Sequence, residues 1–488
     1  MIGRKKELKI LTEACESDTA KLIAVYGRRR IGKTYLINHM FTHHTKECLF
    51  FRFTGSYTLN GPSQIENFVD AVNSWFNVEP NNPIQTWTQA FNFLKNTLIK
   101  VKKEGQKAIV FLDEVPWIDK KGKDGFVGAL GYFWNDFALN NREITMIICG
   151  SNSSWIKNKL FEDSKGPLYQ RLDIKIAMKP FDLKETKDYL INKIGFNLDE
   201  KSIVEAYMIF GGVAKYLDYL DPRKTISENV DDLIFNIGGH LHAEYAEVFK
   251  SLFDKKAPYY SQIIKALGDK KSGMTQGEII DKIGGSIGAK LKEALEELCE
   301  TGFILAVNKI GAKINSKYII SDPFVLFYNS WVSIFTNNQL VALNMPYFGN
   351  IIGTQKYTIW AGFAFETACL INIDLYLKVR QTKGLVVSYG YWSHTGTDAE
   401  KGAQIDLLVE YKGGVYDIVE CKFWNKPFEI DKDYADKIKN KIEVFTKHGC
   451  KGKYDVKFIM LSTYGCAKNS HYHAINPTAD LMISDLLT

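Results

Sequence analysis

Short apolar runs alternate with segments of helical spacing along the first 180 residues of the chain. Helical spacing begins at Lys33 and returns over Phe91–Lys102. The apolar runs have the length of buried strands and lie at Leu22–Tyr26, Cys48–Phe53, Ala108–Leu112, Thr145–Cys149 and Ile174–Ala177. Alternating strands and helices predict an α/β fold with a parallel, doubly wound sheet. We assign residues 1–180 to this core.

The pattern becomes mainly helical after residue 180. Residues 181–255 are predicted to form a helical lid. In residues 256–330, Thr275 and Glu278 have capping-box spacing, and a second helix is predicted at about Gly288–Thr301. Strand-like runs follow at Gly302–Val307 and Lys317–Ile320. Two helices followed by a hairpin predict a winged helix.

A second α/β region is predicted at residues 353–488, after a connector at 331–352. Its first helix is expected near Trp360–Asn372, and a pair of strands within Gln404–Trp424. A helix rich in lysine and aspartate, about Ile430–Lys447, is expected to present a solvated face. A strand at Val456–Ser462 completes the region.

Composition narrows the function classes only slightly. The 62 basic and 56 acidic side chains give a net charge of +6, which permits nucleic-acid binding without arguing for it. The eight cysteines include no CxxC pair, so neither a zinc site nor a disulfide framework is indicated. The charged N-terminus and the absence of an 18-residue apolar run predict a cytoplasmic protein that does not bind membranes.

A phosphate-binding loop is predicted directly after the first strand. The sequence GRRRIGKT fits GxxxxGK[ST] between a strand and a helix, the context that the motif requires. The loop residues are Gly27, Arg28, Arg29, Arg30, Ile31, Gly32, Lys33 and Thr34. Lys33 is expected to bind the β- and γ-phosphates of ATP, and Thr34 to bind Mg²⁺.

Polar residues at the ends of later strands are predicted to complete this site. Asp113 is expected to hold Mg²⁺, and Glu114 to act as the general base for hydrolysis. Ser151 or Asn152 is a candidate sensor of the γ-phosphate, with a turn and helix cap as the alternative. Arg171 is a candidate arginine finger, and a surface arginine is the alternative on spacing alone.

A second group of candidate residues lies on a predicted hairpin near the C-terminus. If Tyr411 and Val415 close a three-residue loop, Asp406 lies opposite Glu420, and Lys422 shares its face. A two-residue loop would shift this register. Two neighbouring carboxylates favour Mg²⁺, and Lys422 could orient or deprotonate an attacking water. A cross-strand ion pair is the alternative.

Several motifs together resemble a known group of proteins. The segment Ile2–Leu8 and the GRRRIGKT loop resemble archaeal and bacterial AAA-type P-loop ATPases of the STAND class. Leu112–Glu114, Cys149–Ser151, Pro167–Arg171 and Asp322–Phe324 match that group in order, although Ala214 replaces its lid proline. The resemblance implies that Gly3 and Arg4 lie near the adenine and that Arg171 contacts phosphate.

The C-terminal region resembles the domain called DUF234 and, with it, a PD-(D/E)xK nuclease. Asp406 with Glu420-Cys421-Lys422 matches the D…ExK core of that restriction-endonuclease-like fold, and Glu366 matches the acid on its first helix. The resemblance implies Mg²⁺ at Asp406 and Glu420, with Glu366 and Lys422 in the same site. A degenerate nuclease fold is the main alternative.

The sequence as a whole predicts a regulatory ATPase coupled to a metal-dependent nuclease acting on DNA, with RNA as an alternative substrate. Two other readings stay open. The nuclease fold could bind nucleic acid or protein without cutting, or the chain could be an ATP-dependent DNA-binding regulator acting through its winged helix. The acidic second helix of that unit, about Gly288–Thr301, leaves DNA recognition and a packing role equally open. The family resemblance is also compatible with nucleotide-dependent homo-oligomers.

Overall fold

The computed structural model describes residues 1–119, 124–151, 153–312, 316–343, 345–397, 400–450 and 452–488. Over these residues the chain divides into two units, Met1–Pro180 and Phe181–Thr488. Among the helices so described, none is both long enough and apolar enough to cross a membrane.

Five parallel strands form the centre of the first unit, as the alternating pattern predicted. In chain order they are β1 (Lys21–Tyr26), β2 (Leu49–Thr54), β3 (Ala108–Asp113), β4 (Ile144–Gly150) and β5 (Ile174–Ala177). The sheet order is β2-β3-β4-β1-β5, and each neighbouring pair is parallel. β3 and β4 are buried at every residue, which is typical of strands covered on both faces.

Helices connect these strands. They are α1 (Lys5–Glu16), α2 (Lys33–His44), α3 (Gly61–Phe76), α4 (Trp87–Val101), α5 (Val115–Ile118), α6 (Phe126–Tyr132) and α7 (Ser153–Ile156). The core between sheet and helices is rich in aromatic side chains, with Phe68, Trp87 and Phe91 in mutual ring contact.

The strand order brings three carboxyl ends together. β4 lies between β3 and β1, with Leu112 paired to Ile148 and Tyr26 paired to Gly150. The residues that follow β1, β3 and β4 therefore meet at one edge of the sheet, where open α/β sheets bind ligands.

The second unit begins with helices. They are α8 (Leu183–Tyr189), α9 (Glu200–Phe210), α10 (Ala214–Leu217), α11 (Ile226–Val230), α12 (Glu244–Phe253), α13 (Ala257–Asp269), α14 (Gln276–Ile283) and α15 (Ala289–Glu300). The predicted capping box is present, since Thr275 accepts the backbone N–H of Glu278 at 3.3 Å. The predicted hairpin follows as antiparallel β6 (Ile304–Asn308) and β7 (Ser316–Ile320).

More helices lead to the C-terminal sheet. They are α16 (Pro323–Trp331), α17 (Asn337–Val341), α18 (Phe348–Ile351), α19 (Gln355–Ile371) and α20 (Ile373–Val379). The strands are β8 (Val386–His394), β9 (Ala403–Tyr411), β10 (Val415–Lys422), β11 (Asp455–Ser462) and β12 (Ala479–Met482). α21 (Lys432–His448) joins β10 to β11, and α22 (Ser470–Ile475) and α23 (Ile483–Leu486) complete the chain.

This second sheet is mixed, with the order β12-β11-β10-β9-β8. β8, β9 and β10 are antiparallel neighbours, whereas β10, β11 and β12 are parallel. The pairing of Tyr411 with Val415 confirms the predicted three-residue loop and its register. The expectation of a solvated α21 was wrong in part, because Ala435, Ile438 and Phe445 are buried in the core of this sheet.

A buried carboxylate in the second unit holds a distant backbone turn. Asp231, which follows α11, is 4% exposed. Its oxygens accept the backbone N–H groups of Tyr347, Phe348 and Gly349 at 3.0, 2.7 and 3.2 Å. Three N–H groups donated to one buried carboxylate form a strong structural contact.

We expect Asp231→Ala to lower the free energy of unfolding by about 2–4 kcal/mol, because three backbone donors lose a charged acceptor. The neighbouring Asp232→Ala is the matched control. Its carboxylate is half exposed and pairs with Lys224 at the surface, so the loss should stay below about 1 kcal/mol. Urea denaturation of both variants measures the difference, and equal losses would contradict the assigned role of Asp231.

Candidate functional site

The loop after β1 has the backbone that a phosphate-binding loop needs. Gly27 has φ of 139°, and a Cβ there would lie 2.2 Å from the carbonyl oxygen of Met178. Gly32 has φ of 89° and is the residue before α2, while Arg30 also has a positive φ of 67°. These torsions turn the loop onto the N-terminus of α2, whose dipole favours an anion.

Lys33 lies inside this loop. Its side chain is buried, and its Nζ donates to the carbonyl oxygens of Gly27 and Arg28 at 2.7 and 2.8 Å. The ammonium group is thereby held within the curve of the loop. Arg29 lies over the ring of Trp117, with 5.1 Å from its Cζ to the ring centroid.

Two polar residues connect the loop to the end of β3. Thr34 Oγ1 donates to Asp113 Oδ2 at 2.8 Å, and Asp113 is 2% exposed. The hydroxyl and the carboxylate that the sequence assigned to Mg²⁺ are therefore in direct contact. Arg52 of β2 also reaches Asp113 Oδ2, with its Nη2 at 3.3 Å.

Arg52 was missed by the sequence analysis. It is the one charged residue in the strand sequence LFFRFT, and an arginine inside an apolar strand was the signal available. β2 lies next to β3, which brings this side chain to the acidic end of the neighbouring strand.

Glu114 and Ser151 meet at the same sheet edge. Glu114 has φ of 48° and precedes α5. Its Oε2 accepts both the backbone N–H and the hydroxyl of Ser151, at 3.1 and 2.8 Å. The candidate base and the candidate sensor are therefore hydrogen-bonded to each other. Asn152, the alternative sensor, lies outside the described residues.

Of the other predicted nucleotide-site residues, Arg4 is buried and Arg171 is exposed. Arg4, next to Gly3, is buried with φ of 60°, and its Nη2 donates to the carbonyl oxygen of Ile31 at 3.3 Å. The N-terminal segment thus contacts the phosphate-binding loop. Arg171 is exposed in a turn before β5, and none of the described hydrogen bonds or ion pairs joins its side chain to the loop.

A second cluster of charged residues lies in the second unit. A cavity of about 280 Å³ is lined by Glu366 of α19, Asp406 of β9 and Glu420 of β10. The paired residues of β9 and β10 run as far as Leu407 with Val419, which places Asp406 and Glu420 next in register. We call these three residues the carboxylate cluster.

The surroundings of Glu366 in the carboxylate cluster disfavour its charged form. Burial and then the nearby Asp406 carboxylate raise the pKa of Glu366 to about 8, although Lys422 opposes this effect. Crowded acids of this kind favour either a shared proton or a cation.

Glu420 is held by two residues of α21. Tyr434 donates its hydroxyl to Glu420 Oε2 at 2.8 Å, and Lys441 Nζ forms an ion pair with Oε1. Burial alone would lower the pKa of Lys441, but the Glu420 carboxylate raises it. Lys422 Nζ lies 5.0 Å from the centroid of the Tyr434 ring.

Lys441 and Tyr434 were missed because the α21 segment was interpreted as a solvated face. Lys441 is only 22% exposed in its side chain. The signal lay in its helical register with Ile438 and Phe445, which are buried.

Two lysines from the segment between α13 and β7 line the same cavity. Lys271 precedes α14, and Lys317 lies on β7. Burial lowers the pKa of each lysine. The hairpin carrying Lys317 lies against β8, where Ile310 donates its backbone N–H to Tyr391 at 2.9 Å. One wall of the cavity therefore comes from this hairpin.

Comparison with known proteins agrees with the first of these sites. Residues 1–220 match a family described as an ATPase domain predominantly from Archaea. The chain is 26% identical over 415 residues to the uncharacterized protein MJECL04 of Methanocaldococcus jannaschii, which covers 83% of each chain. It is 22% identical over 301 residues to the uncharacterized ATP-binding protein MJ1659 of the same organism, covering 54% of this chain and 81% of that protein.

The fold is similar to that of a solved ATPase. The Walker-type ATPase paby2304 of Pyrococcus abyssi aligns with a TM-score of 0.50 at 18% identity, covering 67% of this chain and 96% of that one. The phosphate-binding loop, the contact of Thr34 with the buried Asp113 and the family match agree with one another. Residues 1–220 thus resemble the P-loop ATPase domain of this predominantly archaeal family.

Proposed function

We propose that this chain is an ATP-hydrolysing regulatory ATPase whose second unit hydrolyses phosphodiester bonds in nucleic acid, with DNA as the first substrate to test. The match of residues 1–220 to an archaeal ATPase family supports the first part of this proposal. The observation that carries the rest is the cavity where Glu366, Asp406 and Glu420 lie together with lysines.

The residues of the first site fit ATP with Mg²⁺. The loop Gly27–Thr34 offers backbone N–H groups and the buried Lys33 for phosphate oxygens, and Thr34 with Asp113 offers hard oxygen ligands for a cation. Bound Mg²⁺ would neutralise charge on the phosphates. Gly3 and Arg4 are assigned to the adenine side, and Arg171 to phosphate.

Glu114 and Ser151 would handle the attacking water. Glu114 accepts the water's proton in this proposal, since it follows the strand that carries Asp113. Ser151 holds Glu114 Oε2 through two donors, which fixes the direction of the carboxylate. Release of this contact would free Glu114 Oε2 to accept the proton of the water.

The carboxylate cluster fits a divalent cation bound by Asp406 and Glu420. Carboxylate oxygens are the ligands that Mg²⁺ prefers, and the raised pKa of Glu366 indicates crowding that a cation relieves. The bound cation would stabilise charge on a phosphodiester. α19, β9 and β10 bring Glu366, Asp406 and Glu420 to one cavity, which supports this assignment.

Lysine and tyrosine side chains would activate the water, position Glu420 and bind the substrate. Lys422 is assigned to orient or deprotonate the attacking water. Lys441 and Tyr434 hold Glu420 in place. Lys271 and Lys317 line the same cavity as the acids and would bind backbone phosphates of the substrate.

A non-cutting function is the second candidate. Both oxygens of Glu420 are engaged, one by Tyr434 and one by Lys441. An ion pair of this kind would stabilise the fold without any metal and would leave a cavity that binds nucleic acid or protein. Cutting assays separate the two candidates.

We expect Lys33→Ala to weaken ATP binding by about 10–100-fold and to abolish measurable hydrolysis, because the charge-assisted bonds to phosphate are lost. Binding of a fluorescent ATP analogue and release of inorganic phosphate measure the two effects. Lys9→Ala is the control, since that side chain is 74% exposed on α1. Normal hydrolysis by Lys33→Ala would overturn the assignment of the loop.

We expect Glu114→Gln to bind ATP normally and to hydrolyse it at least about 100-fold more slowly, because the amide cannot accept the water's proton. Glu104→Gln, an exposed change in the same unit, should leave the rate unchanged. Single-turnover hydrolysis measures the chemical step. If Glu114→Gln keeps the wild-type rate, another residue is the base.

We expect Lys422→Ala to lower Mg²⁺-dependent cutting of DNA at least about 100-fold, since general acid–base catalysis contributes roughly that much. Lys426→Ala is the matched control, because that lysine is 63% exposed and pairs with Glu429. Assays with duplex DNA, single-stranded DNA and RNA, in Mg²⁺ and in Mn²⁺, give the readout.

Equal cutting by the wild type and Lys422→Ala would show that the proposed nuclease site is wrong. If the wild type cuts none of these substrates, with or without ATP, the non-cutting function is favoured.

A further inference from the structure

Two histidines and a glutamate meet at the end of the C-terminal sheet. His394 is the last residue of β8, and His448 is the last residue of α21. Glu400 lies in the loop between β8 and β9. We call these residues the His–Glu cluster. Neither ATP hydrolysis nor phosphodiester hydrolysis, as proposed above, uses any of them.

The ligand atoms of the three residues are close enough for one ion. One ligand atom from each residue lies within 4.8 Å of the other two. The two imidazole rings stack with centroids 3.8 Å apart at 9°. Glu400 Oε2 is 2.8 Å from His448 Nε2, so a carboxylate oxygen and an imidazole nitrogen already converge.

A lysine fixes the other oxygen of the carboxylate. Lys447 Nζ lies 3.1 Å from Glu400 Oε1. This contact leaves Oε2 directed toward the histidines. Outer contacts that orient a liganding carboxylate are typical of metal sites in proteins.

Gly396, Thr397, Glu400 and Gly402 are held together by close backbone contacts. Gly396 and Gly402 approach so closely that a Cβ on Gly396 would lie 2.5 Å from the Gly402 nitrogen. The backbones of Thr397 and Glu400 exchange hydrogen bonds at 2.9 and 3.2 Å. Asn440 of α21 donates to the Gly402 carbonyl at 3.1 Å, which ties the loop to the helix.

The two histidines also share a rigid support. Trp392 of β8 packs edge-on against Phe445 of α21, with ring centroids 5.1 Å apart. His394 and His448 follow these aromatic residues by two and three positions. His448 ends a 17-residue helix, and the partial negative charge at that end favours a cation.

We propose that His394, Glu400 and His448 form a binding site for a divalent transition-metal ion, Zn²⁺ in the first instance. Two imidazoles and one carboxylate form a ligand set that suits Zn²⁺, with water as the fourth ligand. The bound ion ties the β8–β9 loop to the end of α21.

This site is separate from the carboxylate cluster. None of its three residues lines the cavity at Glu366, Asp406 and Glu420. On α21, Lys441 and His448 are seven residues apart, which is roughly 10 Å along a helix axis. The ligand chemistry also differs, since imidazoles select Zn²⁺ and carboxylates alone favour Mg²⁺.

The test is a Zn²⁺ titration of the full chain after removal of metals with a chelator. Competition with a chromophoric zinc indicator gives the stoichiometry and affinity, and Co²⁺ substitution gives the visible spectrum of a four-coordinate site. We expect one Zn²⁺ per chain at these residues. His394→Ala and His448→Ala should each weaken this binding at least about 100-fold, since each removes one of the three protein ligands.

Histidines elsewhere in the same unit provide the controls. His471→Ala and His473→Ala, both in α22, should leave the affinity unchanged. Asp406→Ala should also leave it unchanged, which separates this site from the carboxylate cluster. Zn²⁺ should raise the melting temperature of the wild type and not that of His448→Gln, which tests the site without a large cavity.

Two outcomes would overturn the proposal. One is a wild-type chain that takes up no Zn²⁺ at micromolar concentrations. The other is unchanged affinity in both His394→Ala and His448→Ala. In either case the cluster is a hydrogen-bonded network around Glu400. The proposed ATPase and nuclease activities do not depend on this result.

Discussion

The hydrogen bond from Thr34 to Asp113 is the contact on which the nucleotide site depends. It joins the first turn of α2 to the end of β3 and places the two intended cation ligands together. Parallel pairing of β1, β4 and β3 makes this possible, because it aligns the carboxyl ends of strands far apart in sequence. Arg52 adds a positive charge beside the buried Asp113, so the carboxylate is not left without a cation. The Glu114–Ser151 contact lies at the same edge and depends on the same alignment.

The second unit also places acidic side chains close together, and lysines balance their charge. Three carboxylates lie in one cavity, and lysines from several helices and strands lie close to them. Lys441 neutralises Glu420, while Lys271 and Lys317 line the cavity from the segment that runs from α13 to β7. Loss of a single lysine would leave an excess of negative charge in this cavity. The charge balance of the cavity therefore depends on the position of the hairpin that carries Lys317.

Features that depend only on residues close together in the chain could be predicted from the sequence. The P-loop motif needs only eight consecutive residues, and the register of β9 with β10 follows from a short glycine-containing loop and the alternation of the strands. Side chains that meet through tertiary packing could not be found this way. Arg52 and Asp113 are in contact although they are 61 residues apart in the chain. Lys441 contacts Glu420 from a helix whose high content of charged residues predicts exposure to solvent. The His–Glu cluster likewise requires the stacking of α21 on β8, which no motif in the sequence encodes.

The central claim is that nucleotide bound in the first unit controls phosphodiester hydrolysis in the second. The most direct test is the rate of DNA cutting as a function of ATP concentration in Mg²⁺, compared between the wild type and Lys33→Ala. The account predicts that saturating ATP changes the wild-type rate at least about tenfold, a free-energy effect of roughly 1.4 kcal/mol, and leaves the variant unchanged. A wild-type rate that is the same with and without ATP would contradict it.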